Sequence, residues 1–497
     1  MVMTLLDPAT CHRAIATRDA RFDGVFYLGV TSTRIYCRPI CRARRPKPEN
    51  CRFFLHAAVA EHAGFRPCRL CLPEQAPGHA PVDAAATLAT VAVRAIEAGA
   101  LRDGESLEAL AGSLGVSSRH LRRVVGGHLG VTPVALAQTQ RLLMAKRLLM
   151  ETRLPVGEVA LASGFRSLRR CNALFKSHYG LPPSAFRREP ASRTAPPITD
   201  QLTLSLGYRP PLAWPELLRY FMGRAIPGVE DITPTRYART LRSGARPGWL
   251  SVELGEGGNH GRITVSSSLA PALPEVLAAV RRCFDLDASP HAVAGVLGSD
   301  PLLAASVQET PGLRLPGAMD PFETAIRTII GQQVSVAAAT TVMGRVVQAF
   351  GDSILTPWPT LNRLTITPDR IARESVDSLA PLGLNSARAN ALLAVARAVD
   401  SGHLTLAHSP DPERTIARLQ ELPGIGPWTA HYFGMRILGW PDAFIAGDLV
   451  VRKALAPLTP RQIEARSAAW RPWRGYAVMH LWRSIGFFKS PDSPVLP

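Results

Sequence analysis

Apolar residues recur at helical spacing along most of this 497-residue chain and alternate at strand spacing in one stretch of it. Two short amphipathic patterns, Leu107 to Leu114 and Val156 to Ser163, each precede a longer one. The longer patterns open at Ser117-Ser118-Arg119-His120 and Ser167-Leu168-Arg169-Arg170. They close at His128-Leu129-Gly130-Val131-Thr132-Pro133 and His178-Tyr179-Gly180-Leu181-Pro182-Pro183. Opening and closing both return after 50 residues, an internal near-repeat that predicts two helix-turn-helix units. Pro133 to Met150, between them, predicts one helix roughly 25 Å long at 1.5 Å per residue. Pro81 to Gly99 predicts a helical linker, and Glu189 to Asp200, EPASRTAPPITD, a Pro/Ser/Thr/Ala linker. From Gln201 to about Asp285, segments such as Leu202-Thr203-Leu204-Ser205-Leu206 and Gly261-Arg262-Ile263-Thr264-Val265 predict antiparallel strands. From about Pro290 onward helical patterns dominate.

One late stretch combines a turn with candidate chemistry. Between two helical patterns, Leu422-Pro423-Gly424-Ile425-Gly426 predicts a tight reversal, with Pro423 stopping one helix and the glycines permitting the bend. The next helix starts at about Pro427, a residue suited to a first helical position. Its free N–H groups, reached past glycines, make an anion site suited to a phosphate. Asp448 follows Gly426 by 22 positions, and before Leu449-Val450-Val451 it is also a good helix N-cap. The two roles can coexist.

The length predicts about three domains. The net charge is +18, and it is unevenly spread. Met1 to Ala80 holds 12 Lys/Arg against 6 Asp/Glu, and Pro81 to Pro190 holds 15 against 8, so +13 falls in the first 190 residues. Nucleic acid is the natural partner of such an excess. No apolar run approaches the ~20 residues of a membrane span, and Met1 to Ala20 lacks the apolar core of a signal peptide. A cytoplasmic, nucleoid-associated protein with reduced thiols is expected, with no membrane partner.

Four of the eight cysteines form Cys37-x3-Cys41 and, after 26 residues, Cys68-x2-Cys71. Two close pairs in a reducing compartment predict a tetrahedral zinc site rather than disulfides, in a short Arg- and Pro-rich region that needs a metal to fold. Spacing cannot say whether one sulfur is reactive. Arg38, Arg42, Arg44, Arg45 and Lys47 surround the site and are expected to hold a nucleic-acid backbone against it.

The flanks Ile35-Tyr36-Cys37-Arg38-Pro39-Ile40-Cys41-Arg42-Ala43-Arg44 and Gly64-Phe65-Arg66-Pro67-Cys68-Arg69-Leu70-Cys71 closely resemble the N-terminal domain of the Ada adaptive-response family. That resemblance implies that all four cysteines bind one Zn²⁺, structural and reactive, and that Cys37 takes a methyl group from a DNA methylphosphotriester in a single turnover. Ser106 to Arg188 resembles an AraC-type DNA-binding domain. It implies an activator that binds operator DNA, with RNA polymerase as a further partner, and Arg119, Arg122, Arg123, Arg169 and Arg170 on or near its recognition helices. The Pro-Cys-His-Arg nucleophile of the Ada methyltransferase domain has no match after residue 190, and Thr10-Cys11-His12-Arg13 lacks its proline. Removal of methyl from guanine oxygen is therefore excluded.

From about Tyr208 to Phe488 the chain resembles the AlkA-like 3-methyladenine glycosylases of the helix-hairpin-helix superfamily. The resemblance rests on the hairpin and on Leu313-Arg314-Leu315-Pro316-Gly317, Ile330-Gly331-Gln332-Gln333-Val334-Ser335-Val336 and Trp473-Arg474-Gly475-Tyr476-Ala477. It implies a catalytic Asp448 facing the sugar of a flipped nucleotide, and a pocket of Trp428, Tyr432, Trp482 and Tyr220. It also implies DNA contacts at Gly424 and Gly426, and a wedge at Gln333 where the family carries leucine. Trp428 stands where strand-cutting relatives carry a Schiff-base lysine, so a monofunctional enzyme is expected. Only Cys283 lies beyond residue 190, so no iron–sulfur cluster is expected, while the hairpin carbonyls could hold a monovalent cation.

The expected fold class is thus multidomain and mainly α with a smaller α+β lobe. The expected domains are 1–80 zinc methyl-acceptor, 81–190 double helix-turn-helix, 191–200 linker, 201–285 sheet lobe and 286–497 helix-hairpin-helix glycosylase. The competing reading is a transcription regulator whose glycosylase lobe only binds DNA.

Overall fold

The computed structural model describes residues 7–78, 88–102, 104–187, 200–254, 258–407 and 409–486. The linker expected at 191–200, apart from Asp200, and the first residues of the linker expected from Pro81 lie outside the described residues. The chain divides into two units, Met1–Pro210 with Gly255–Ala278, and Pro211–Leu254 with Ala279–Pro497.

In the first unit β1 (Tyr27–Val30), β2 (Ile35–Cys37), β3 (Cys51–Phe54) and β4 (Arg66–Pro67) form a sheet of order β3-β1-β2-β4. The β1–β2 and β1–β3 pairs are antiparallel and the short β2–β4 pair is parallel. Register places Tyr36 opposite Pro67, which sets Cys37 beside Cys68 at the ends of two neighbouring strands. Phe54, Phe65, Tyr27 and Tyr36 pack edge to face beneath the sheet.

Among the helices that follow are α1 (Leu88–Glu97), α2 (Leu107–Ser113), α3 (Ser118–Leu129), α4 (Pro133–Glu151), α5 (Val156–Ala162) and α6 (Leu168–Tyr179). The 50-residue repeat reaches the backbone caps. Ser117 and Ser167 each accept the N–H three residues on, and Gly130 and Gly180 end α3 and α6 at φ +74° and +76°. The two tight turns pivot on Gly115 and Gly164, at φ +70° and +84°, a conformation glycine adopts at no steric cost. The spacer α4 has 19 residues and so spans about 28 Å.

Helix α4 is buried on more sides than its pattern predicts, because the zinc module packs on one of them. Lys146 is fully buried there. Its ammonium donates to both carboxylate oxygens of Glu74, at 2.7 and 2.6 Å, and to the Cys68 carbonyl at 3.2 Å. Arg69 lies 4.4 Å from the Phe186 ring, and His178 of α6 meets Glu61 at 2.9 Å. The cysteine-bearing sheet module and the helices thus pack on each other, with Leu143 of α4 in the cluster of Tyr36 and Phe65, and Ala58 in that of Leu121 and Val125. In the same unit Gln201–Gly207 (β5) pairs antiparallel with His260–Ser266, in the register Leu202↔Val265 and Leu204↔Ile263.

In the second unit β6 (Glu230–Ile232), β7 (Arg236–Ser243) and β8 (Arg246–Leu254) form an antiparallel meander. The β7–β8 hairpin closes Ser243 against Arg246 with Gly244 at φ +58°, the left-handed residue a two-residue loop requires. The helical core is built by α7 (Trp214–Met222), α8 (Pro321–Ile330), α9 (Val336–Phe350), α10 (Ser386–Asp400), α11 (Pro412–Leu419), α12 (Pro427–Arg436), α13 (Leu449–Ala454) and α14 (Arg474–Ser484). Ile326, Ile329, Met343, Val347, Leu392, Val395 and Phe433 interlock at its centre. The expected mainly helical, multidomain architecture with small sheets is what the chain forms.

Replacing Lys146 by Met strands the buried Glu74 carboxylate without its counter-charge. A loss of about 3–5 kcal/mol of first-unit stability is expected, measurable by urea denaturation.

Candidate active site and metal centre

The hairpin is α11, the turn Gln420 to Gly426, and α12, which starts at Pro427 as expected. Gly424 has φ +77°, and a Cβ there would come within 2.6 Å of the Ala391 Cβ. Gly426, the N-cap, has open space around the Cβ position, so its backbone can be approached from outside. Gln332 ties the loop between α8 and α9 to this hairpin. Its amide nitrogen donates to the Gly424 carbonyl and to Thr429 Oγ1, both at 2.9 Å. Beside it Gln333 is exposed and held at φ +56°, a strained backbone for a residue with a side chain.

Helix α12 carries Trp428 and Tyr432 one turn apart, so their rings stack with centroids 5.1 Å apart. Trp482 comes from α14 and lies 6.4 Å from Tyr432. Asp448 caps α13, as its sequence context predicts, and Oδ1 accepts the N–H groups of Val450 and Val451 at 3.0 Å each. Oδ1 also accepts Trp482 Nε1 at 3.0 Å, while Oδ2 accepts Trp428 Nε1 at 3.1 Å. The cap residue is also part of a cavity wall. With Oδ1 saturated, Oδ2 is the oxygen with a lone pair left for a substrate or a water.

These four residues and Tyr220 line one cavity of about 320 Å³, within the usual range for a small-molecule pocket. Tyr220, on α7, is fully buried, and its hydroxyl meets that of Tyr432 at 3.1 Å. Its ring face is occupied: the Arg224 and Arg436 guanidinium carbons lie 4.0 and 4.9 Å from its centroid. Burial pushes the Tyr220 phenol up to about 12. Burial also raises Tyr432, but Arg436, Arg224 and hydrogen bonds outweigh it and bring that phenol below its usual value. Sequence reading missed Arg224, Arg327 and Arg436, all of which line the cavity. The i, i+4 pair Tyr432–Arg436 on one helix was the available signal for the last.

The sulfurs of Cys37, Cys41, Cys68 and Cys71 all lie within 4.8 Å of one another. Four thiols at that separation fit one tetrahedral zinc ion with Zn–S bonds of about 2.3 Å. Cys37 and Cys68 are each 7% exposed, and Cys41 and Cys71 are half-buried. Cys71 Sγ accepts the Arg38 N–H and Cys68 Sγ the Leu70 N–H, both at 3.4 Å. Among the described residues no backbone N–H reaches the Cys37 sulfur. Arg38 is not free to meet DNA, because its guanidinium is buried on Asp23 and on the Cys71 carbonyl. Arg42, Arg44, Arg45 and Lys47 are exposed. On the reading helices Arg119, Arg122, Arg123, Arg169 and Arg170 are exposed too, with Arg122 within 3.7 Å of Glu108. Cys51 lies apart and donates to the Lys47 carbonyl.

Four families match in chain order: the metal binding domain of Ada at residues 10–74, a helix-turn-helix domain at 110–189, the AlkA N-terminal domain at 203–320, and the HhH-GPD superfamily of base excision DNA repair proteins at 326–473. A probable bifunctional transcriptional activator/DNA repair enzyme AlkA of Mycobacterium tuberculosis is 37% identical over 481 residues, 96% of each chain. This chain belongs to that family. The family combines both halves in one polypeptide, whereas other relatives carry one. DNA-3-methyladenine glycosylase 2 of Escherichia coli is 37% identical over 290 residues, 58% of this chain and 99% of its own. The bifunctional transcriptional activator/DNA repair enzyme Ada of Escherichia coli is 38% identical over 129 residues, 26% of this chain and 35% of its own. As a member of the bifunctional family the chain is a DNA-binding activator and a DNA glycosylase. No helix among the described residues is long and apolar enough to cross a membrane.

Helix α14, which brings Trp482 to Asp448, is anchored by His480, buried against Ser306 Oγ at 3.0 Å. Burial lowers its pKa from 6.5 to about 4. A depressed folded pKa gives stability that is full above the unfolded value and is lost as pH falls from about 6.5 to about 4. On the order of 3 kcal/mol is expected to go over that window. Urea titrations of His480→Gln should show a flatter pH dependence there than the wild type.

Proposed function

We propose that the second unit excises alkylated purines of the 3-methyladenine type from duplex DNA, and that the first unit senses methylphosphotriesters through Cys37 and then binds an operator. The observation that carries the enzymatic half is the Asp448 carboxylate, gripped by two indole N–H groups and two backbone N–H groups on the wall of an aromatic cavity.

The steps follow from that geometry. Phosphate on one side of the lesion binds the N–H groups at the start of α12, opened by Gly426. Gln333 enters the stack as the nucleotide leaves it, and the strained loop is held against the hairpin by Gln332. The flipped base enters the cavity between the indoles, whose electron-rich faces attract a cationic ring. The C1′–N bond then breaks, the base leaves with the electron pair, and positive charge grows on the sugar. Asp448 Oδ2 faces that charge or orients the attacking water, while Oδ1 holds the carboxylate still. An indole at position 428 cannot form a Schiff base, so the product is an abasic site in an uncut strand.

Asp448→Asn keeps an oxygen for the three donors at Oδ1 and loses the charge. Excision of 3-methyladenine is expected to fall by ~10²–10³ or more, with damaged-DNA binding largely kept. Near wild-type turnover would remove Asp448 from the site. Borohydride trapping of a covalent enzyme–DNA adduct would contradict the monofunctional reading.

In the first unit, zinc when bound keeps the cysteine sulfurs as thiolates. The Cys37 sulfur attacks the methyl carbon, the C–O bond breaks, and the phosphate leaves as a diester anion. Backbone N–H bonds damp the nucleophilicity of Cys68 and Cys71, which supports Cys37 over them despite its low exposure. Exposed Arg42, Arg44, Arg45 and Lys47 supply the phosphate contacts. Methylation takes the four-thiolate site from about −2 to −1. For one charge about 6 Å from a phosphate, ~3 kcal/mol of repulsion is relieved at an effective dielectric near 20. Screening reduces that to ~1–2 kcal/mol, several-fold to roughly thirtyfold in affinity.

Purified protein is expected to hold one zinc. Its operator affinity should rise by that factor after exposure to methylphosphotriester DNA, and stay unchanged in Cys37→Ala. Mass spectrometry placing the methyl on Cys41 or Cys71, the more exposed sulfurs, would reassign the acceptor.

A further inference from the structure

The cavity that holds the flipped base is richer in cations than a pocket selecting only for positive charge needs to be. Arg224, Arg239, Arg327 and Arg436 line it, against Glu230, Glu323 and Asp448. Arg239 is consumed by the two glutamates, at 2.6 Å from Glu323 and 3.5 Å from Glu230. Arg436 donates to the hydroxyls of Tyr220 and Tyr432 and to the Gly317 carbonyl. Arg224 donates to the Tyr220 carbonyl and covers its ring.

Arg327 is different. It rises from α8 one turn before the Gln332 loop, and its Nη2 donates to Thr340 Oγ1 of α9 at 2.9 Å. That bond fixes the plane of the guanidinium. Its Nη1 is buried and, among the described residues, meets no acceptor. A buried charged donor without a partner costs more than a hydrogen bond gains, so such a group in a cavity wall calls for an acceptor from the occupant. Burial also depresses the guanidinium pKa, in keeping with that unpaid desolvation.

We propose that Arg327 is a specificity-determining residue that donates to a ring carbonyl of the flipped base, favouring 6-oxopurines over 6-aminopurines. This rests on the glycosylase reading of the cavity. A 6-oxo group offers the lone pair that Nη1 lacks. A 6-amino group would set donor against donor and leave Nη1 unsatisfied. Both 7-methylguanine and 3-methyladenine are cationic lesions, so their comparison separates this hydrogen bond from the attraction of the aromatic faces.

The test uses the full-length protein on methylated DNA and follows release of both bases in one digest. Arg327→Met is expected to lower kcat/KM for 7-methylguanine by roughly ten- to hundredfold, the worth of one hydrogen bond from a charged donor. Its kcat/KM for 3-methyladenine should change less than about threefold. Arg327→Lys, which keeps the charge and can still donate, is expected to recover part of the 7-methylguanine activity. Thr340→Val removes only the tether, and should lower the same ratio by a smaller factor. Equal loss of both activities in Arg327→Met, or an unchanged ratio in both Arg327 variants, would overturn the proposal. A wild type that releases neither base would overturn the glycosylase reading itself, and the specificity role with it.

Discussion

The second unit is organised around one carboxylate with too many partners to move. Asp448 ends α13, and two indoles from α12 and α14 converge on it. Helix caps alone need only one or two acceptor contacts. Here the additional indole bonds come from residues 20 and 34 positions away, so the cap also fixes the spacing of three helices. In the proposed reaction a carboxylate anchored in this way would not reorganise as charge develops beside it, which is where electrostatic stabilisation gains most over water. The same bonds give the Trp428 and Trp482 rings a single orientation each, so the aromatic walls and the charge form one rigid piece.

The first unit depends on a buried ion pair instead. Lys146 sits on the spacer between two reading units, and its acceptors belong to the zinc module, one of them the carbonyl of a cysteine ligand. The Cys68 carbonyl is thus one hydrogen bond from the helix that separates the two helix-turn-helix units.

Much of this was legible in the chain. The 50-residue repeat gave both helix-turn-helix units because serine caps and glycine turns are local signals that tertiary packing does not override. The cysteine spacing gave the cluster, and the Pro-Gly-x-Gly turn gave the start of α12 at Pro427. What stayed hidden is long-range. Arg38 read as a DNA-facing cation, yet it is buried on Asp23, 15 residues before it, and no spacing signals that Lys146 meets Glu74, 72 residues before it. Tyr220, expected in the pocket wall, lines it, but its ring face is covered by Arg224, four positions on, and by Arg436, 216 positions away. Periodicity reports which face of an element is inward; it does not report which charges follow it there.

The exposed Gln333 brings these threads together. Its left-handed backbone carries a strain of order 1–3 kcal/mol, which persists only if neighbours over-determine it. Gln332 supplies that constraint through two bonds to the hairpin, and the Arg388 guanidinium adds a third to the Gln332 carbonyl. The loop that carries Gln333 is thus braced by the hairpin turn. A leucine at position 333 would fill the stack by bulk alone, whereas a glutamine also presents an amide to the unpaired base opposite. Strain at 333 is set in the free protein, so in the proposed extrusion step it need not be generated when DNA binds, which would leave binding energy from the phosphate side for that step.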